Sequence, residues 1–147
     1  MEDLAAIERI VAAKKTLPGA LLPVLHDIQE ALGHIPAESV PLIAKGLGLS
    51  RAEVHGVISY YHHFRQTPPD RHVVRICCAE ACQAVGGEAL AEHAKVRLED
   101  SDLTLEPVYC LGLCAIGPAL QIDETTLHAH VTPEKFDALM ATLAADP

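Results

Sequence analysis

Five cysteines fall in two tight groups, and no other feature limits so strongly what this chain can fold around. "RICCAEAC" carries Cys77, Cys78 and Cys82; "VYCLGLC" carries Cys110 and Cys114. Each group closes a strand-like run and opens a loop. Loops at the ends of neighbouring strands can bring two thiol pairs around one buried object. Cys77 and Cys82 are spaced C-x4-C, and Cys110 and Cys114 C-x3-C. Cys78 to Cys82 is also C-x3-C, which leaves a shifted ligand set open.

Three objects compete for these thiols. Disulfides would leave one of the five cysteines unpaired, and they suit an oxidising compartment. The opening "MEDLAAIERIVAAKK" is acidic first and basic last, the reverse of a secretory signal and suited to a short amphipathic helix. No apolar run approaches the roughly 20 residues of a membrane span. The expected location is therefore cytoplasmic, without membrane insertion, where thiols stay reduced. Structural zinc wants four thiolates in a tetrahedron, usually from C-x2-C knuckles, and neither pair has that spacing. A [2Fe–2S] cluster takes two thiolates on each of two irons, which two separate loops can supply. The spacing favours the cluster, with zinc next. Gly112 in "CLGLC" lets backbone pass close to a ligand; Gly86-Gly87 suits close packing near a helix start.

The surrounding chain reads as two halves. Half of its residues are apolar but only 3% aromatic, without tryptophan, so the core must be built from Leu, Ile, Val and Ala. Residues 1–65 are expected to form a helical bundle. Leu21, Leu25, Ile28 and Leu32 line one helix face, stopped by Gly33. Val40, Ile43 and Leu47 line a second helix, ending at Gly48. Ser50 and Glu53 form a capping box ahead of Val54, Val57, Ile58 and Tyr61, with His62 and His63 at that helix's end. Pro68 and Pro69 break the pattern, making 65–71 a linker. Residues 66–147 then read β-α-β-β-β-α. "HVVRI" is a strand, "CQAVGGEALAEHAKVRL" a helix and "LTLEPVYC" a strand. "PALQI" and "TLHAHV" form a hairpin across Asp123-Glu124-Thr125. "TPEKFDALMATLAA" is a helix capped by Thr132, with Pro133 at its first position. The fold class is α+β, a small mixed sheet with helices. The net charge of -9 excludes nucleic acid as the expected partner. There is no Walker, G-x-S-x-G or H-E-x-x-H sequence. His128 and His130 share one face of an expected strand but lack a third ligand.

These residues closely resemble the thioredoxin-like [2Fe–2S] ferredoxin family, which includes the 24 kDa-type subunit of NADH:quinone oxidoreductase and its counterparts in NAD-linked hydrogenases and formate dehydrogenases. The likeness includes "LLPVLHDIQEALGHIPAESV" with its G-x-I-P step, "C-x4-C", "C-L-G-x-C" and Gly117-Pro118, from about residue 20 onward. The resemblance implies a thioredoxin-like domain over 66–147 and Cys77, Cys82, Cys110 and Cys114 as the ligands of one [2Fe–2S] cluster. Cys78 is then a neighbouring thiol. Pro118 stands near the position where such folds carry a cis proline.

The resemblance also implies an electron carrier without turnover of its own, beside a flavin- and NAD-binding subunit that the helical half would contact. "AEACQ", with a short N-terminus and no C-terminal extension, looks most like the gamma subunit of cytoplasmic, molybdenum-dependent, NAD-linked formate dehydrogenase. FMN, NAD and the molybdenum cofactor would then lie on partner subunits, including the large molybdenum-containing one. Two rivals from other classes are a zinc-stabilised interaction domain and a thiol–disulfide oxidoreductase, although the latter lacks a C-x-x-C at a helix start.

Overall fold

The structure, a computed structural model, describes residues 2–145; Met1, Asp146 and Pro147, the outermost residues of the two expected segments, lie outside them. The chain divides into two compact units, Met1–Pro69 and Asp70–Pro147.

The first unit holds α1 (Glu2–Lys14), α2 (Leu21–Leu32), α3 (Ser39–Leu47) and α4 (Arg51–Tyr60). Ile7, Val24, Leu25, Ile28, Ile43, Val54 and Ile58 meet in one apolar cluster, as amphipathic spacing dictates. Gly33 and Gly48 end α2 and α3 in the left-handed region, where glycine has no Cβ penalty. The capping box at Ser50 is formed from both sides, at 3.1 and 2.8 Å. Gly46 is demanded by packing: a Cβ there would run into Val11 Cγ1 on α1. Helix α4 stops one residue before the expected stripe does. Tyr61 is already extended and 42% exposed, and His62 and His63 lie in the turn beyond. Buried Gln29 ties this segment down. Its amide donates to the His63 carbonyl at 2.7 Å, and its Oε1 accepts from the Arg65 N–H at 2.8 Å. That satisfies a polar group which would otherwise be costly inside the bundle.

The second unit contains β1 (His72–Cys77), α5 (Glu80–Ala84), α6 (Gly87–Leu98), β2 (Leu103–Val108), β3 (Leu120–Ile122), β4 (Thr126–His128) and α7 (Pro133–Ala145), with a 3₁₀ turn at Cys114–Ile116. The strand order is β2-β1-β3-β4; β1 runs parallel to β2 and antiparallel to β3. Val74, Ile76, Leu120 and Ile122 of the sheet pack with Leu90, Ala94 and Leu98 of α6 and Phe136 and Met140 of α7. The α+β class and the β-α-β-β-β-α order agree with the sequence, with three local differences. The expected helix at 82–98 is two helices, because Gly86 takes φ 104° and breaks the hydrogen-bond ladder. Strand β2 ends at Val108, two residues before Cys110. Strand β4 ends at His128, and His130 turns to φ 47°, so those two histidines do not share a strand face.

Among the described residues, no helix is long and apolar enough to cross a membrane.

Candidate metal centre

Four of the five cysteines come together at the end of β1. Side chains alternate along a strand, and this separates Cys77 from Cys78. Cys77 lies with Cys82 and Ala119 in a small buried cluster, where both cysteines are only 2% exposed. Cys78 packs on the opposite, helix-covered face. Its Sγ lies 3.6 Å from the Ile76 carbonyl, and it borders a cavity of about 180 Å³ with Gln83, Gly87, Ala91 and Lys95.

The β1 end is fixed from both neighbours. The Cys77 N–H donates to Ala119 at 3.0 Å and the Cys78 N–H to Val108 at 2.8 Å. Helix α5 returns Cys82 to the same place, beside Cys77 in that cluster. Cys110 and Cys114 are exposed, and their Sγ atoms lie 3.5 Å apart. Cys110 takes φ 100° and Gly112 φ 77°. This reversal lets the Gly112 N–H donate to Cys110 Sγ at 3.3 Å.

Close approach at Cys82 depends on two glycines. A Cβ at Gly117 would sit 3.0 Å from Cys82 Sγ, and one at Gly87 only 2.6 Å from the Cys82 carbonyl oxygen. Gly117-Pro118 is a cis peptide bond, at the position marked in the sequence.

The thiols are electrostatically unequal. Burial pushes the Cys77 thiol up. Hydrogen bonds from the Ala79 backbone, the Cys82 thiol and the Cys110 and Leu111 backbone outweigh that and hold it below the usual thiol range. Cys82 is raised by burial and by its bond to Cys77; Cys114 is raised by its bond to Cys110. Amides directed at Cys77 are the donors that stabilise a thiolate or a sulfur bonded to iron.

The donor set fits a [2Fe–2S] group. It consists of soft sulfur only, arranged as one buried and one exposed pair, with backbone amides at the first. Each pair is the two-thiolate unit that one iron of such a cluster takes.

Sequence reasoning missed a polar cluster built on β1. Arg75, in the middle of "HVVRI", is 5% exposed and paired with Glu106 and Glu124. A charge inside a β-branched run is the signal that could have found it.

A mixed sheet with two cysteine pairs at adjoining strand ends defines a thioredoxin-like iron–sulfur protein. The chain belongs to the thioredoxin-like [2Fe–2S] ferredoxin family, whose match spans residues 7–144, and members of that family carry one [2Fe–2S] cluster. It is 33% identical to an NADH-quinone oxidoreductase subunit of Escherichia coli (strain K12) over 129 residues, covering 82% of this chain and 77% of that protein. It is 27% identical to the NADP-reducing hydrogenase subunit HndA of Solidesulfovibrio fructosivorans over 131 residues, covering 84% and 76%. Among solved structures, an NAD+-reducing [NiFe]-hydrogenase in the air-oxidized state superposes with TM-score 0.68 at 26% identity. That alignment covers 91% of this chain but only 24% of the hydrogenase chain.

Proposed function

We propose that this chain is the electron-transfer subunit of an NAD-linked oxidoreductase complex, holding one [2Fe–2S] cluster through Cys77, Cys82, Cys110 and Cys114 beside a flavin- and NAD-binding subunit. The observation that carries the reading is the meeting of a buried cysteine pair with an exposed one. Cys77 and Cys82 anchor the group in the fold, and Cys110 and Cys114 leave its other edge at the surface. When bound, the cluster supplies a one-electron store. The chain's own residues do the rest. The amides of Ala79, Cys110 and Leu111 stabilise sulfur charge, and Gly87 and Gly117 keep space around Cys82. Tyr109 and Ile116, 63% and 41% exposed, give the rim an apolar surface for a partner. The similar proteins are named as subunits of a quinone oxidoreductase and a hydrogenase, which supports placement in a complex of that type.

Within that class, the finer reading is the gamma subunit of a cytoplasmic, molybdenum-dependent, NAD-linked formate dehydrogenase, supported by the "AEACQ" resemblance. In such a complex, formate oxidation at a molybdenum subunit delivers electrons to FMN, which reduces NAD+. This chain's site then lies near that flavin, and its helical unit supplies much of the contact with the flavoprotein.

The test is anaerobic purification of the intact complex, with iron and acid-labile sulfide counted and the co-purifying subunits identified. Two irons and two sulfides per chain and a flavoprotein partner are expected. A redox-silent or zinc-only preparation overturns the carrier role. A molybdenum subunit and the appearance of the reduced cluster's EPR signal on adding formate support the finer reading; a quinone-reducing or hydrogen-oxidising assembly replaces it.

A further inference from the structure

Helix α4 carries a glycine that the chain itself does not explain. Gly56 sits inside α4, four residues before its end at Tyr60. It is not in the left-handed region that calls for glycine, and a Cβ built there meets nothing within 4 Å. Glycine inside a helix is destabilising relative to alanine, so neither backbone nor packing accounts for it. Gly46 in α3 is the contrasting case, where Val11 Cγ1 fills the space a Cβ would need.

The space beside Gly56 is a groove of about 620 Å³ in the helical unit. Its walls are apolar and helical: Leu21 begins α2, Leu47 ends α3 and Val57 follows Gly56 on α4. Leu17 and Tyr61 also line it and are 46% and 42% exposed. Contiguous apolar surface left to water in this way marks an interaction site. Two charged residues complete the lining. Glu53 is already committed, because its Oε2 accepts the Ser50 N–H at 2.8 Å. Lys15 is exposed, and no carboxylate of the described residues pairs with it.

These features select one kind of occupant. Addition of a partner strand needs an open sheet edge, and this groove has helices on its sides. An apolar groove between helices is filled by an amphipathic helix that lays its apolar face into it. The bare backbone at Gly56 lets such a helix approach closely, since the distance between packed helices depends on the side chains at their contact. The uncommitted ammonium of Lys15 calls for a carboxylate on that helix.

We propose that this groove receives an amphipathic helix of the neighbouring flavin- and NAD-binding subunit, packed against Gly56 and carrying an Asp or Glu opposite Lys15. The inference rests on the complex-subunit reading above and deepens it by naming the docking surface and the chemistry of its partner.

The experiment measures the dissociation constant between the full-length chain, purified anaerobically with iron and sulfide counted, and the flavin- and NAD-binding subunit released from the intact complex. Gly56→Leu fills the groove and raises the constant about tenfold. Gly56→Ala raises it about threefold while the helical unit melts later, because alanine suits the helix better. A glycine with only a structural role would shift the melt and leave binding alone. Lys15→Glu sets like charges against each other and raises the constant about tenfold. Iron, sulfide and EPR signal stay at the wild-type level in all three. A folded Gly56→Leu or Lys15→Glu chain that binds with the wild-type constant overturns the inference. Groove variants that change only self-association of the isolated chain assign the groove to a second copy and overturn it too; loss of a co-purifying small apolar molecule with unchanged binding does the same. Should Gly56→Leu not fold, Lys15→Glu on its exposed side chain decides, and a wild-type constant there overturns the inference. A wild-type chain that does not bind the flavoprotein overturns the complex-subunit reading and this inference with it; a binding chain with unmoved variants overturns this inference alone.

Discussion

Gly87→Ala adds a single methyl group where α6 begins, against the backbone of the residue that presents Cys82. The new Cβ would stand 2.6 Å from the Cys82 carbonyl oxygen and 2.7 Å from its carbonyl carbon. Both are well inside the 3.4 Å at which ordinary contact begins, so these atoms must part by about 0.7–0.8 Å. The obstacle is backbone and cannot rotate away. Gly87 is not in the left-handed region, so alanine meets no conformational barrier, and as the first residue of α6 it lies outside the helix interior where alanine gains most over glycine. Overpacking costs about 1–3 kcal/mol. The net loss of stability is therefore up to about 3 kcal/mol, and each kcal/mol moves the melting temperature of a 60–100-residue domain by about 4–8 °C. The sulfur site is far less tolerant, because metal–ligand distances hold to about ±0.2 Å. Shifting Cys82 by several times that should remove most of the cluster while the apoprotein still folds. Iron and sulfide per chain, the visible absorbance after anaerobic reconstitution and a thermal melt measure both effects. A Gly87→Ala protein with wild-type iron, sulfide and EPR line shape would refute the claim that this contact positions Cys82.

Other consequences are simpler to read. Cys77→Ser should alter or abolish the EPR signal, and Cys78→Ser should leave it nearly intact, because Cys78 packs on the helix-covered face; the reverse outcome transfers the ligand role to Cys78. Ser50→Ala should destabilise the helical unit by about 1 kcal/mol through loss of the N-cap without changing iron content, as chemical denaturation and metal analysis will show. Glu53 is held below the ordinary glutamate value by the Ser50 backbone N–H and then the Ser50 hydroxyl. Its folded value is the lower one, so its contribution is complete above the unfolded value of 4.5 and fades as pH falls through the folded value. Glu53→Gln should flatten the acid limb of helical-unit stability in that window; an unchanged limb contradicts the capping account.

Much of this protein is legible as local pattern. The apolar spacing of α2, the glycine stops at Gly33 and Gly48 and the Ser50–Glu53 box involve residues within about four positions of each other, the range over which helical hydrogen bonds and caps act. Cysteine spacing, also local, pointed to two sulfur pairs. What the sequence left undecided came from pairing across long separations. Strand order brings Val108 and Ala119 to the two sides of Cys77, and only that placement joins the pair at 77 and 82 to the pair at 110 and 114. A one-residue difference in alternation separates Cys77 from Cys78, and spacing alone offered both. Arg75, an isolated charge in a strand, gained its partners only when β2 and the β3–β4 turn closed around it. Local chemistry is written residue by residue, whereas register, facing and burial emerge when distant segments share one sheet.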